Sequence, residues 1–384
     1  MAFKTPDLRY RPNSTVDLGG ECAVYTELYD RATEPVVVFL NNFYIVAPMW
    51  RGYLGRVIDQ HSVLLYDLEN QGGSSVVEEP SIDSHAETLH ALLQAIGKSR
   101  VILVGTSASC VIATRYAELH PESVVGLLLI GPSMTPSADP IRKATERALM
   151  NSLRLGGIEA LWDHLYSFVF SVSTMNKLGA SGYLGLRSAF MALHRQDPML
   201  ANMRSAAVSS TSFHSLLSLP IPTQVTVGDQ DMLWQGEQIE EARAAFTAPG
   251  HSIRVLEGLG HLPYLEDAER FQDVVLDFVS YLLNRENPSP STLGGAIGPS
   301  TEDVALVLAE VLEHKIALEV LKEKSLADIG VESWAFTAFL ARLEDAFHFQ
   351  WDFDAAAEVF MSSATIAEHI RGTVSAAPDR KEQA

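Results

Sequence analysis

VILVGTSASCVIATRYAELHP, residues 101–121, decides the fold. Val101 to Val104 form a short apolar, β-branched run of the kind a buried strand requires. Gly105-Thr106-Ser107-Ala108-Ser109 interrupts it, and a helical pattern follows at once. The segment reads as strand, sharp turn and helix, with Ser107 at the apex. A serine on such a turn exposes its hydroxyl, and the next backbone N–H, at a helix N-terminus, can stabilise a developing oxyanion. Serine is also a favoured helix N-cap, so the turn alone leaves a purely structural Ser107 open.

Two later segments supply an acid and a base. Thr223-Gln224-Val225-Thr226-Val227 reads as a strand ending in Gly228-Asp229-Gln230-Asp231, and the short strand Ile253 to Leu256 leads to Leu259-Gly260-His261-Leu262-Pro263. The order Ser, Asp, His, with the histidine about 150 residues beyond the serine, resembles the α/β-hydrolase superfamily over roughly residues 20 to 285. That resemblance implies Ser107 as nucleophile, His261 as the base that takes and returns its proton, and Asp231 as the group that orients the imidazole. Asp229 is the rival acid; the superfamily position after Gly-x-x favours Asp231. His85, His90, His194 and His214 have no comparable context.

Upstream, VVVFLNNFYIVAPMW (36–50) resembles the superfamily strand that carries a His-Gly turn. Leu64-Leu65-Tyr66-Asp67-Leu68-Glu69-Asn70-Gln71-Gly72-Gly73-Ser74 resembles its Asp-x-x-Gly-x-Gly-x-Ser loop. Asn41 and Asn42 stand in place of His-Gly, and Ser109 replaces the second glycine of G-x-S-x-G. The resemblance implies that the N–H groups of Ala108 and Phe43 hold the oxyanion.

Residues 133–219 change to helical segments at Ala144 to Leu153, Ala160 to Phe170 and Arg187 to His194, where the superfamily inserts a lid. Leu161, Trp162, Phe168, Phe170, Phe190 and Met191 either line a channel for an acyl chain or form the lid's own core. Phe271 to Asn284 reads as the closing helix of a first domain, residues 1–286.

Residues 287–300 are too rich in Pro, Gly and Ser to pack and read as a linker; 301–374 then show helical periodicity, and 375–384 form a disordered tail. Val304, Leu306, Val307, Val311 and Leu312 form one apolar set, and Phe336, Phe339, Leu340, Leu343 and Phe347 another. SLADIGVESWAFTAFLARLEDAFHFQWDFDAAAEVFMSSATIAEHI (325–370) resembles the acyl or peptidyl carrier protein family around its Asp-Ser-Leu motif. Glu332 and Trp334 replace the usual neighbours of the serine. Leu340-Ala341-Arg342-Leu343-Glu344-Asp345-Ala346-Phe347 keeps the family's continuation, and Ala364 to Ile370 resembles its closing helix. The resemblance implies a phosphopantetheine arm on Ser333, installed by a phosphopantetheinyl transferase, carrying acyl thioesters between synthase or ligase enzymes of a biosynthetic pathway. Residues 301–371 hold 14 Asp plus Glu against 5 Lys plus Arg, a net of −9, which suits docking on basic partner surfaces. A solvated acidic bundle in which Ser333 is only a helix cap is the plainer reading.

The expected fold class is therefore α/β: a hydrolase sheet with a helical lid, followed by a small all-α carrier-like bundle. A formal charge of −20 argues against nucleic acid as a partner. Two cysteines, Cys22 and Cys110, give no disulfide framework and suit a reducing, cytoplasmic setting. No run is apolar enough to span a membrane and no metal-ligand spacing is present. Together the two resemblances imply a serine-dependent thioesterase or acyltransferase acting on carrier-bound chains in polyketide, fatty-acid or related biosynthesis. The first half also looks somewhat like the acyltransferases of rhamnolipid biosynthesis. An inactive hydrolase fold that binds acyl chains, and an ordinary carboxylesterase, are the alternatives.

Overall fold

The computed structural model describes residues 9–136, 140–246, 250–286, 300–312, 316–331, 333–347, 351 and 357–375. Chain contacts divide it into two compact units, Met1–Leu282 and Leu283–Ala384, a division slightly ahead of the expected boundary at residue 286.

The first unit is built on eight strands: β1 (Thr15–Gly19), β2 (Cys22–Tyr29), β3 (Val36–Phe39), β4 (Val63–Tyr66), β5 (Val101–Thr106), β6 (Val124–Ile130), β7 (Thr223–Gly228) and β8 (His251–Leu256). They form one sheet in the order β1-β2-β4-β3-β5-β6-β7-β8. β1 and β2 join antiparallel, and from β4 to β8 all neighbours are parallel. The chain connects these strands through α1 (Gly55–Gln60), α2 (Ile82–Ala95) and α3 (Ser109–Leu119), and later through α8 (Gly236–Ala245), α9 (Pro263–Glu266) and α10 (Ala268–Glu286). β3, β4 and β5 are buried along their whole length, because a parallel sheet covered on both faces admits no polar side. Val36, Val38 and Leu103 pack with Leu89 and Ala113 of α2 and α3 on one face. On the other, Phe39 meets Trp50 and Phe271 at ring separations of 5.2 and 6.4 Å. Substrates of open α/β sheets bind outside the carboxyl ends of the parallel strands, and that is where Ser107, Asp231 and His261 follow β5, β7 and β8.

Between β6 and β7 lies the lid: α4 (Pro140–Val169), α5 (Val172–Leu193), α6 (Gln196–Ala207) and α7 (Phe213–Leu217). α4 is broken at Gly157 and α5 at Gly179, so each is two helices meeting at a kink. The sequence pattern missed the first half of α5, where glycines dilute the apolar periodicity, and α6, whose first turn contains Pro198, tolerated there because that N–H has no helical partner. Of the six candidate channel residues only Phe168 lines the main cavity. Leu161, Trp162, Phe170 and Phe190 are buried, and the last three close around Tyr44 at ring separations of 5.7, 6.3 and 5.7 Å, while Met191 is exposed. The apolar lid residues therefore build the lid's own core and its contact with the loop after β3.

The second unit contains α11 (Thr301–Val311), α12 (Leu318–Glu323), α13 (Leu326–Ile329), α14 (Ser333–Phe347) and α15 (Ser363–Ser375). Val304, Leu308, Leu321, Phe339, Leu343, Ile366 and Ile370 form its separate core. Leu306, expected to share the apolar face of α11, is 45% exposed; the buried set on that helix is Val304, Ala305, Leu308 and Ala309. Ser333 is the first residue of α14. The linker residues 287–299, Glu332 and the tail from 376 lie outside the described residues.

Candidate active site

β5 ends at Thr106, and the chain turns so sharply that Ser107 takes a φ of +52° before α3 begins. A left-handed conformation costs a non-glycine residue about 1–3 kcal/mol and persists only where neighbours over-determine it. Here they do. Ser107 N–H donates to Ile130 O on β6 at 2.8 Å, and Ser133 N–H donates to Ser107 O at 3.4 Å. Ser109, expected only as a small residue, has a buried hydroxyl that donates toward Leu40 O and Thr106 O and accepts from Thr106 N–H, at 3.1, 3.0 and 2.9 Å. It staples the elbow to the end of β3.

Ser107 Oγ lies 2.8 Å from His261 Nε2, and His261 Nδ1 lies 2.8 Å from Asp231 Oδ2. A carboxylate can only accept, so Nδ1 carries the imidazole proton, and bare Nε2 accepts from the serine hydroxyl. Asp231 is fully buried, and its other oxygen accepts from Leu233 N–H at 2.8 Å. Asp229 points elsewhere and accepts from Gly258 N–H at 2.7 Å. The structure thus brings together Ser107, His261 and Asp231 and leaves Asp229 apart.

The histidine loop fits closely between β6 and the lid. Gly131, at φ +49°, has no room for a side chain: a Cβ there would stand 2.3 Å from His261 O. His261 N–H donates to Val169 O of α4 at 3.1 Å, and Phe168 packs its ring 4.6 Å from the imidazole. Glu266, which the sequence reading passed over, accepts from Gly260 N–H at 2.7 Å and from Ser171 N–H at 3.1 Å. The same carboxylate accepts from the hydroxyls of Ser171 and Thr174. It therefore ties the residue before His261 to the start of lid helix α5.

Phe43 and Ala108 both line the cavity beside Ser107. Among the described residues neither backbone N–H has a protein acceptor. Asn41 and Asn42 are buried and each is hydrogen-bonded through both ends of its amide: Asn41 Nδ2 donates to Asp67 Oδ1 and its Oδ1 accepts from Trp50 Nε1, both at 2.9 Å. Asn42 Nδ2 donates to Thr106 Oγ1 and to Tyr264 OH at 2.9 and 3.0 Å, while Oδ1 accepts from Tyr44 N–H at 2.7 Å. Burial raises the Asp67 carboxyl above its ordinary value, an effect opposed by the N–H groups of Ala47 and Gly73 and the Asn41 amide.

The cavity has a volume of about 290 Å³, at the small end of the ~300–1,000 Å³ typical of ligand sites. Met134, Leu149, Leu165, Phe168, Met203 and Leu233 give it an apolar wall, and Ser209 to Ser212 add hydroxyls. Among the described residues no cluster of His, Cys, Asp or Glu is arranged to hold a metal ion, and no helix is long and apolar enough to cross a membrane.

An open parallel sheet with a serine elbow after β5, an inserted helical lid and a buried histidine and acid on later loops is the architecture of an α/β hydrolase. The chain belongs to that family: the model of the alpha/beta hydrolase family matches residues 37–274. Among curated relatives, it is 26% identical over 282 residues to monoacylglycerol lipase abhd6-A of Xenopus laevis, covering 68% of this chain and 80% of the relative. Among solved structures it resembles MGS-M2, an alpha/beta hydrolase enzyme from a Medee basin deep-sea metagenome library, with a TM-score of 0.61 and 20% identity over 70% of this chain and 97% of that one. A thermophilic esterase from Thermogutta terrifontis gives a TM-score of 0.60 at 22% identity, over 70% and 97%. The residues matched by the family model lie within the first unit.

Proposed function

We propose that this protein is a serine-dependent acyl hydrolase or acyltransferase that works through an acyl-enzyme on Ser107. The observation that supports this most directly is the continuous relay from Ser107 Oγ through His261 to buried Asp231, with both links at 2.8 Å. As Ser107 Oγ attacks an acyl carbonyl, His261 Nε2 takes the hydroxyl proton and Asp231 stabilises the imidazolium. The tetrahedral oxyanion faces the N–H groups of Phe43 and Ala108. When the carbon–leaving-group bond breaks, His261 returns the proton to the leaving group. Water, or a hydroxyl or amine acceptor, then attacks the ester on Ser107 with His261 again as base.

We further propose that the acyl group arrives as a phosphopantetheine thioester and that Ser333, at the head of α14, is an attachment point for such an arm. The carrier-like sequence of residues 325–370 and the separate helical core of the second unit support this. Tethering would raise the effective thioester concentration at Ser107 without any new contact. Hydrolysis of a free carboxylic ester is the second reading, favoured by the monoacylglycerol lipase relative.

A fluorophosphonate probe tests the chemistry: Ser107 is expected to be labelled, and the label to disappear in His261→Ala. Intact-protein mass spectrometry after a phosphopantetheinyl transferase and an acyl-coenzyme A tests the source. Acyl-pantetheine should persist on the second unit only in Ser107→Ala and never form in Ser333→Ala. Turnover of short p-nitrophenyl esters, with Ser333 never modified in the intact protein, would leave the free-ester reading standing instead.

A further inference from the structure

We propose that Gln71 is the positioning residue of the oxyanion site, holding the Asn42–Phe43 peptide from the side opposite its N–H; this rests on the Ser107 acyl-enzyme reading. Asn42 C=O and Phe43 N–H belong to one planar, trans amide and point in opposite directions, so a donor that fixes the carbonyl also aims the N–H. Gln71 Nε2 donates to Asn42 O at 2.8 Å, with both residues buried. A hydrogen bond accepted by the carbonyl also polarises the amide and strengthens its N–H as a donor, most of all where water is excluded.

Gln71 is itself held in place. Asn70 stands where the Asp-x-x-Gly-x-Gly-x-Ser pattern has its first glycine and adopts a φ of +66°, which asparagine tolerates better than most residues. Gln71 N–H donates to Leu68 O and Gln71 O accepts from Ser74 N–H, each at 3.0 Å. From the lid, Asn202 of α6 donates to Glu69 O at 2.8 Å and accepts from Asn70 Nδ2 at 3.3 Å. An unbroken set of contacts thus runs from lid helix α6, through the 69–71 loop, to the peptide that presents Phe43 N–H.

A second, small cavity lies behind the amide, walled by Phe43, Gln71, His194 and Asn202 among others, with a volume of about 10 Å³, close to the space one water occupies. Gln71 Oε1 and His194 Nε2 are both buried without a protein partner. Both are acceptors, because the Gln71 nitrogen faces Asn42 O and His194 Nδ1 donates to Phe190 O at 2.8 Å. The cavity would therefore offer a water two acceptors, one on Gln71 and one on His194, the residue that follows α5.

The test compares wild type with Gln71→Met, which keeps the length and loses the donor, and Gln71→Glu, which keeps the shape and turns an acceptor toward Asn42 O. The readouts are kcat and KM on a p-nitrophenyl ester, the rate of Ser107 phosphonylation, and the Ki of a trifluoromethyl ketone whose serine adduct carries an oxyanion. In Gln71→Met, kcat is expected to fall ten-fold or more with KM within two-fold, and the ketone Ki to rise in step; Gln71→Glu should lose more. If Gln71→Met does not fold, Gln71→Glu carries the test by the same readouts. A folded variant with kcat and Ki unchanged, or with kcat reduced and Ki unchanged, overturns the positioning role. Wild type that is never phosphonylated overturns the Ser107 reading beneath it, a separate result.

Discussion

Glu266 offers the sharpest test of how the lid and the histidine loop depend on each other. Its carboxylate accepts from Gly260 N–H, Ser171 N–H and the hydroxyls of Ser171 and Thr174, so Glu266→Ala leaves all four donors without their acceptor. Hydrogen bonds to a charged acceptor contribute about 1.5–3 kcal/mol each when buried, and this group is only half-buried, so water recovers part of the loss. A net destabilisation of about 3 kcal/mol at the junction is reasonable on that basis. The kinetic effect arises because Gly260 immediately precedes His261, and an imidazole displaced by a fraction of an ångström no longer lines up with Ser107 Oγ. Small misplacements of a catalytic group cost ten- to a hundred-fold in rate, so kcat/KM should fall by about that factor, roughly 1.4–2.7 kcal/mol of transition-state stabilisation. Ester hydrolysis measured beside thermal unfolding separates the two effects, and Glu266→Gln, which keeps one acceptor, should fall between. Gly260→Ala should mimic the loss, because its Cβ would stand 2.7 Å from Glu266 Oε1 and 2.8 Å from Val169 O. Glu266→Ala that retains wild-type kcat/KM at a temperature where it is folded would refute the coupling.

Ser109→Ala should cost about 1–3 kcal/mol in urea unfolding, because it strips buried Thr106 N–H of its acceptor; a midpoint equal to wild type would show the staple to be idle. Burial pushes the His194 imidazole down to about 4, below its unfolded value near 6.5. The unfolded chain then binds the extra proton first, so this contribution is complete above about pH 6.5 and is lost as pH falls toward 4, by up to about 3 kcal/mol. His194→Leu should flatten that part of the stability-pH curve, and an unchanged slope would count against it. Cys110 is fully buried, and burial raises its thiol, so an aromatic disulfide reagent should leave it untouched until unfolding. Cys22 is partly exposed, with its thiol raised by burial and by Glu69, and should react slowly in the native protein; rapid modification of both would contradict the packing.

The convergence of Ser107, Asp231 and His261 was legible in the sequence because each follows a strand end, where apolar periodicity stops abruptly. Strand limits were read to within two residues for the same reason: β5, β7 and β8 are short apolar runs bounded by polar or glycine residues. The lid helices expected at 144–153, 160–170 and 187–194 fall on the two arms of α4 and the end of α5, with the Gly157 kink in the gap between the first two; the start of α5 and α6 were not legible, since the break at Gly179 and its neighbouring glycines dilute the 3.6-residue period on which such reading depends. Glu266, Gln71, Asn202 and Gly131 escaped notice because their importance lies in partners far away in sequence. Gln71 meets Asn42, 29 residues back, and Glu266 meets Ser171, 95 residues back. The one available signal was the loop pattern after Asp67, which marked the place of Gln71 without indicating its contact.

The replacement of the usual His-Gly turn by Asn41-Asn42 first suggests a loosened oxyanion site, and hence a fold that has lost its chemistry. The side chains argue the other way. A glycine at position 42 would offer no side-chain partner at all, whereas Asn42 supplies two donors and an acceptor, each engaged, to Thr106 beside Ser107, Tyr264 beyond His261 and its own loop at Tyr44. Asn41 secures the preceding residue to Asp67, which also holds Ala47 and Gly73 N–H at 2.7 and 2.9 Å. The turn is thus fixed by side chains rather than by freedom of the backbone, and the same residues connect it to the elbow and to the loop after β4. Preorganisation of this kind favours a transition state because no donor has to move when charge develops. The strain at Ser107 φ +52° is held by the same surroundings, through Ser109, Leu40 and Ile130. That strain and a buried carboxylate aimed at an imidazole both cost stability, which supports the proposed Ser107 chemistry over a fold that only binds acyl chains.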